Sequence, residues 1–172
     1  MNHRNTASFG KRQEYIAVAQ LLQRGFDVYM TLVDDQQIDC VVRQEKDGRL
    51  RYLDVQIKAR SKDAKHPGTF AALVIRKPRP DYWFIFHSEA INTYWVMTSE
   101  EVVANSTVNK GGKDGAGKNK GKRTIVFVIK TKRDGAKARP KFRDYENAFS
   151  RLNWGETTGS ADPSERIENN AG

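Results

Sequence analysis

Two carboxylates, an amide and an ammonium group in the first third of the 172-residue chain have types and spacing that could support chemistry: Glu14, Asp39, Gln56 and Lys58. Gln56 and Lys58 are two positions apart in an alternating run, 50–59, so they project from the same face of a predicted strand whose other face is apolar. Asp39 stands between two apolar neighbours in a preceding run, and a hairpin would bring its carboxylate beside the row formed by Asp54, Gln56 and Lys58. Glu14 interrupts the apolar stripe of a predicted helix, which could bring a second carboxylate to the same place.

Such a group suits metal-assisted hydrolysis of a phosphodiester. Mg²⁺ takes hard oxygen ligands, usually one or two carboxylates, while waters and substrate phosphate oxygens complete its octahedron. Asp39 is the principal candidate ligand, the Gln56 side-chain carbonyl or a neighbouring backbone carbonyl supplies a neutral oxygen, and Glu14 ligates directly or through water. Lys58 would lie near the metal-bound water, where it could orient that water and stabilise charge on the phosphorane. Asp54, one step along the same face, is an accessory candidate.

The elements that must position these groups follow from periodicity and from turn residues. Ser8 can cap a helix that runs to about residue 24, where Gly25 supplies the stop. A three-strand meander follows this helix, with a turn at 46–48. The predicted strands are 26–32, 37–43, 50–59, 70–75, 82–86, 93–97 and 124–130, and the later helices are 100–105 and 144–152. This order predicts an α/β (α+β) domain with a mixed central sheet flanked by helices.

At these residues the sequence resembles the PD-(D/E)XK nuclease superfamily. The resemblance rests on 10–17, on Arg24 to Tyr29, on 34–39 and on Asp54-Val55-Gln56-Ile57-Lys58, and it is closest to small bacterial, archaeal and homing-endonuclease-type members that carry Gln before X-Lys. It implies a restriction-endonuclease-like core, a Mg²⁺- or Mn²⁺-dependent DNA endonuclease, and Lys58 as the catalytic lysine. In the same pattern Glu14 is a supporting acid, Asp39 the principal metal ligand and Gln56 the residue in the usual acidic position.

Gln56 departs from the family pattern and keeps a second hypothesis open. A neutral amide in place of a carboxylate lowers the negative charge around the ion and weakens its capture. The alternative is therefore a catalytically weak or inactive nucleic-acid-binding or assembly protein on a nuclease scaffold. RNA is a less favoured substrate than DNA, and cutting both strands of a duplex would require a homodimer or a higher oligomer.

The net charge of +9 is concentrated in one segment. Residues 1–104 carry +2, residues 105–143 carry +11, and residues 144–172 carry −4. The segment 105–123 is rich in Gly and Lys, with little apolar content, and predicts a flexible basic loop that either binds phosphates or only aids solubility. Its candidate nucleic-acid-binding residues are Lys110, Lys113, Lys118, Lys120, Lys122 and Arg123.

Composition excludes several other classes of protein. Cys40 is the single cysteine, so an internal disulfide and a cysteine-rich zinc site are both excluded. No apolar run is long enough for a membrane helix, and the first residues do not form a secretory signal, so a cytoplasmic protein without a membrane partner is expected. The sequence predicts one nuclease-like domain over 1–154, followed by a disordered acidic tail at 155–172.

Overall fold

The structure, a computed structural model, describes residues 3–32, 37–111, 117–131 and 135–155. The strands in chain order are β1 (Asp27–Met30), β2 (Cys40–Lys46), β3 (Arg49–Arg60), β4 (Thr69–Leu73), β5 (Tyr82–Ser88), β6 (Thr93–Thr98), β7 (Thr107–Val108), β8 (Arg123–Val126), β9 (Val128–Thr131) and β10 (Gly135–Ala138). The helices are α1 (His3–Gln23) and α2 (Ser99–Asn105), and two short 3-10 helices cover Pro140–Tyr145 and Phe149–Leu152. The predicted α/β class with a mixed central sheet flanked by helices is confirmed.

The central sheet has five strands in the order β1-β2-β3-β5-β6. β1, β2 and β3 form the predicted antiparallel meander, in which Cys40 pairs with Val55. β3 pairs in parallel with β5, and β5 pairs antiparallel with β6. Because a parallel pair needs a long crossover, the chain leaves this sheet after β3, forms β4 and then returns as β5.

Helix α1 covers one face of the central sheet with its apolar stripe. Ala17, Val18 and Leu21 are buried against the apolar side chains of β3 and β5. The helix begins at His3, so the predicted cap at Ser8 is wrong, and that residue lies inside α1. The helix ends as predicted at Gly25, whose φ of 83° is accessible to glycine without steric cost. The Phe26 N–H donates to the Leu21 carbonyl at 3.2 Å, which satisfies one of the free carbonyls at the helix end.

The other face of the central sheet is covered by the three-stranded sheet β4-β8-β7, by α2 and by the first 3-10 helix. Aromatic rings fill this layer: Phe70 lies 4.9 Å from Phe86, and Phe127 lies 5.0 Å from Phe86, measured between ring centroids. The aromatic runs of β5 and β6 belong to the core, as predicted, since Trp83 and Trp95 are completely buried. Two separate apolar layers therefore enclose β3 and β5.

The predicted strand over 124–130 is wrong in one respect, because it is two strands in two sheets. β8 joins the three-stranded sheet, and β9 pairs with β10, which the sequence did not predict. The break falls at Phe127, whose N–H donates to the Gly68 carbonyl at 2.8 Å. A contact distant in sequence therefore turns the strand at that residue.

The predicted helix over 144–152 is also wrong. Two 3-10 helices occur in its place, separated by Asn147, which has a φ of 51°. The Asn147 N–H donates to the Tyr94 carbonyl at 2.8 Å, and Glu146 forms a bridge with Trp95. These backbone contacts tie the segment to β6 and prevent a continuous helix.

The described part of the basic segment extends the three-stranded sheet as a hairpin. β7 pairs with β8, and beyond the strands the Asn109 N–H donates to the Lys122 carbonyl at 2.8 Å. Residues 112–116, which include Lys113, lie outside the described residues, as does 156–172, which holds all but the first residue of the predicted tail. No helix within the described ranges combines the length and the apolar character needed to cross a membrane.

Candidate functional site

Asp39 lies directly before β2, opposite Gln56 on β3. Its N–H donates to the Val55 carbonyl at 2.9 Å, so the antiparallel ladder continues one residue past Cys40. One carboxylate oxygen, Oδ2, accepts a hydrogen bond from the Ile57 N–H at 2.6 Å, and the residue is only 6% exposed. The hairpin therefore brings Asp39 beside Gln56, as the alternation predicted.

The Ile57 carbonyl lies at the same edge of β3. The Asp54 N–H donates to the Asp81 carbonyl, so even-numbered residues of β3 direct their backbone groups toward β5. Odd-numbered residues such as Ile57 direct theirs toward β2. Because the β2 ladder ends beside Asp39, the Ile57 carbonyl emerges next to that carboxylate. The sequence predicted a backbone carbonyl near Gln56 as a possible neutral ligand but did not indicate which one.

Glu14 approaches this edge from α1. Its carboxylate forms an ion pair with Lys11. The hydrogen bond that Lys11 donates to Glu14, together with the charges of Glu14 and Asp39, raises the pKa of the Lys11 ammonium above its ordinary value. Burial, followed by the charges of Asp39 and Glu14, raises the pKa of the Cys40 thiol to about 12. Lys11 and Cys40 therefore both lie within electrostatic range of the two carboxylates, Asp39 and Glu14.

Gln56 and Lys58 project from the face of β3 opposite α1. Gln56 is 2% exposed, and its Oε1 accepts a hydrogen bond from the Tyr82 hydroxyl at 3.2 Å. Lys58 is half-buried, and its ammonium makes no hydrogen bond or ion pair with another of the residues that the structure describes. No contact within the described residues therefore holds the Lys58 ammonium in one position.

Asp54 has another partner. Its carboxylate forms an ion pair with Arg79, whose Nε is 3.0 Å from Asp81 and whose guanidinium lies over the Tyr82 ring at 5.0 Å. The structure therefore places this accessory candidate in a network at the start of β5 and does not direct it toward Asp39.

The donors gathered at this strand edge are all oxygens. They are the Asp39 carboxylate, the Gln56 amide oxygen and the Ile57 carbonyl, and the Glu14 carboxylate on α1 is close enough for its charge to act on Cys40. Within the described part of the chain, no three His, Cys, Asp or Glu side chains cluster as a metal site by themselves. Two carboxylates with neutral oxygens suit Mg²⁺ or Mn²⁺, which retain water ligands, better than zinc.

A basic cleft, which the sequence did not predict, opens at the carboxyl end of β3, directly after Lys58. It has a volume of about 1030 Å³ and lies between the first half of α1 and the connection from β3 to β4. Arg12, Lys62 and Lys65 line it with exposed side chains, against the acids Asp63 and Glu89, and Glu89 lies 3.9 Å from the Arg12 guanidinium. Arg60 also lines it, but its Nε donates to the Thr69 carbonyl, and burial lowers the pKa of its guanidinium. The signal available in the sequence was the position of Lys62 and Lys65 immediately after the predicted strand.

The predicted nucleic-acid-binding residues of the hairpin divide into two groups. Lys110, Lys118 and Lys120 are exposed, and Lys122 is half-buried. The Arg123 guanidinium donates to the Val103 carbonyl at 3.1 Å and to the Ser106 hydroxyl at 3.3 Å. Arg123 therefore holds the end of α2, where a cation satisfies free helix carbonyls.

Comparison with known proteins gives a likeness of fold. No family model matches the sequence, and no curated protein matches it. Among solved structures, the chain is similar to one described as the structure of a bacterial homing endonuclease, I-Ssp6803I, with a TM-score of 0.52 and 19% sequence identity. The match covers 82% of this chain and 88% of that one. The two chains therefore share an overall architecture across most of their lengths.

Proposed function

We propose that this chain is an endonuclease that hydrolyses DNA phosphodiester bonds with Mg²⁺ or Mn²⁺. The observation that carries the proposal is the meeting of Asp39, Gln56 and the Ile57 carbonyl at one strand edge, with Lys58 one step further along β3. The similarity of the fold to that of a bacterial homing endonuclease supports the same reading.

Each side chain has a distinct task in this proposal. Asp39 and Glu14 would hold the cation with charge, and Gln56 and the Ile57 carbonyl would add neutral oxygens. When bound, the ion supplies an activated water and neutralises charge on the phosphate. Lys58 would donate a hydrogen bond to the oxygen of the attacking water or to the phosphorane oxygens on which negative charge develops. The hydrogen bond from Tyr82 restricts the orientation of the Gln56 amide.

The DNA backbone would follow the basic cleft. Arg12, Lys62 and Lys65 line it with exposed side chains directly beyond Lys58, where they could neutralise the phosphates next to the scissile bond. The lysines of the hairpin, Lys110, Lys118 and Lys120, would supply a second, sequence-independent contact.

The decisive experiment replaces Asp39 with asparagine. Asp39→Asn retains an acceptor for the Ile57 N–H but removes the charge, so the fold should persist while the ion is lost. We expect cleavage of supercoiled plasmid in Mg²⁺ to fall by at least about 100-fold, with DNA binding retained. Lys58→Met should reduce the rate by a similar factor, since general acid–base groups contribute about 10²–10⁴-fold.

The matched control is Asp47→Asn, in the turn between β2 and β3. Asp47 has a φ of 53°, which asparagine also tolerates, and it lies at the far end of the hairpin from Asp39. Its cleavage rate should equal that of the unmodified protein. Cleavage that survives both Asp39→Asn and Lys58→Met would refute the site. A single-stranded RNA substrate in the same assay tests the less favoured RNA-directed activity.

One observation favours the alternative of a nucleic-acid-binding or assembly protein without catalysis. Gln56, in the position where the family has an acid, is buried, and its oxygen already accepts a hydrogen bond from Tyr82. Calorimetric titration with Mn²⁺ separates the two functions. Binding that is lost in Asp39→Asn supports the nuclease, whereas DNA binding without any Mn²⁺ binding at millimolar concentration supports the alternative.

A further inference from the structure

Three polar side chains that the mechanism does not use form a chain of hydrogen bonds beside Glu14; Gln13 and His87 are buried, and Glu89 is partly exposed. Gln13, the preceding residue of α1, is 3% exposed. Its Nε2 donates to Glu89 Oε1 at 2.6 Å, and its Oε1 lies 2.8 Å from His87 Nδ1. His87 lies near the end of β5, and Glu89 directly follows that strand. Both groups therefore connect α1 with the same end of the central sheet.

The direction of the hydrogen bonds in this chain is determined by Glu89. An ionised carboxylate can only accept, so the Gln13 amide must turn its NH₂ group to Glu89 and its oxygen to His87. The His87 Nδ1 must then carry the hydrogen that it donates to Gln13. Burial lowers the pKa of the imidazole, which agrees with a neutral ring. Each of the two hydrogen bonds thus requires the other.

Several further contacts anchor both ends of the chain. The His87 ring stacks on Tyr94 with 4.1 Å between centroids. The Glu89 N–H donates to the Arg60 carbonyl at 3.0 Å, and Glu89 Oε2 accepts from the Lys62 N–H at 3.2 Å. Glu89 therefore joins α1 to the end of β3 and to the connection that lines the basic cleft.

We propose that Gln13, His87 and Glu89 form a positioning cluster that fixes the rotation of α1 and so directs Glu14 toward Asp39. Successive residues of a helix are separated by about 100° around its axis. A helix held at Gln13 by hydrogen bonds to His87 and Glu89 cannot rotate without breaking them, and the direction of Glu14 is set by the same constraint. The role of Glu14 as a metal-binding group in this inference rests on the proposed function.

The test replaces Gln13 with methionine, which has a similar length but makes neither hydrogen bond. We expect Mn²⁺ affinity, measured by calorimetry without DNA, to fall about 10- to 100-fold, because residues that orient metal ligands have effects of this size. In cleavage assays kcat should change far more than KM for DNA, since Gln13 itself does not line the basic cleft and only its partner Glu89 does. A residue that only stabilised the fold would not separate the two constants in this way.

The matched control is Gln20→Met, the same substitution on the same helix. The hydrogen bonds of the Gln20 side chain are to Gln23 and Arg24, both local to α1. Gln20→Met should bind Mn²⁺ and cleave DNA like the unmodified protein. Equal Mn²⁺ affinities for Gln13→Met and Gln20→Met would overturn the positioning role.

A second variant keeps the test decisive if Gln13→Met does not fold. Glu89→Gln has nearly the same shape and retains an acceptor for Gln13, but it loses the charge and one of the two acceptor oxygens. We expect about a 10-fold loss of Mn²⁺ affinity, and no loss would overturn the inference. Failure of the proposed function is distinguishable, because the unmodified protein would then not bind Mn²⁺, or Asp39→Asn would bind it equally well.

Discussion

At the scale of single residues, Cys40 reports on the region between α1 and β2. It is the only cysteine of the chain, it is completely buried, and its neighbours in the core include Ala17 and Leu21 of α1. Burial, with the charges of Asp39 and Glu14, raises the pKa of its thiol to about 12. Only the thiolate reacts rapidly with disulfide reagents, so the native thiol is protected by both its pKa and its cover.

We therefore expect native protein at pH 8 to react with a chromogenic disulfide reagent only as fast as unfolding exposes the Cys40 thiol. Protein in concentrated urea should release one equivalent of chromophore within the mixing time, which is the control for reagent and stoichiometry. Rapid stoichiometric reaction of the native protein would show that α1 does not cover the start of β2. Absorbance of the released thiol measures both rates.

At the scale of secondary-structure elements, Gly68, directly before β4, lies against Val128, the first residue of β9. A Cβ at this position would lie 2.2 Å from the Val128 Cβ and 2.7 Å from the Val128 backbone nitrogen. The Phe127 N–H donates to the Gly68 carbonyl, so the two backbones cannot separate without losing that hydrogen bond. We expect Gly68→Ala to lower the free energy of unfolding by about 1–3 kcal/mol, measured by urea denaturation.

Gly10→Ala is the matched control for this substitution. Gly10 lies inside α1, and a Cβ there would meet nothing within 4 Å. The same change should raise stability by about 0.5–1 kcal/mol, because alanine loses less conformational freedom in a helix. If both variants are stabilised, β4 and β9 do not pack as closely as Gly68 indicates.

Elements with local signals could be predicted from the sequence. The stop of α1 at Gly25 needs only its neighbours, and α2 is capped locally by Thr98, whose hydroxyl accepts from the Glu101 N–H. The 3-10 helices and the division of β8 from β9 depend on contacts with Tyr94 and Gly68, which are distant in sequence. No local pattern encodes those contacts.

The same distinction applies within the candidate site. Alternation along β3 placed Gln56 and Lys58 on one face, and a hairpin was sufficient to bring Asp39 beside them. The Gln13 cluster and the Ile57 edge could not be predicted, since they depend on how α1 docks and on where the β2 ladder ends. Gln13 is a buried polar residue on an apolar helix face, which was the available signal.

At the scale of the whole molecule, the near-neutral sum of residues 1–104 hides a local excess of positive charge. Several acids in this segment are paired with arginines that do not line the basic cleft: Asp54 and Asp81 with Arg79, and Asp27 and Glu45 with Arg43. Asp63 and Glu89 line the cleft itself, where they offset two of its four cations. Arg12, Lys62 and Lys65 line the cleft with exposed side chains. Net charge by segment therefore indicates only the hairpin as a basic surface. The ion pairs formed in the folded chain leave a second basic surface beside the candidate site.

Two double variants with the same charge change assign the roles of these surfaces. The cleft variant is Lys62→Gln/Lys65→Gln, and the hairpin variant is Lys118→Gln/Lys120→Gln. All four lysines are exposed, and each variant removes two positive charges. If all four neutralise phosphates, each double variant should reduce the slope of log affinity against log salt by about 2, because each contact contributes about 0.9. Only the cleft variant should also lower kcat, since its lysines would lie next to the scissile phosphate. An unchanged salt slope in the hairpin variant would leave that surface a solubility device, and an unchanged kcat in the cleft variant would place the scissile bond away from the cleft.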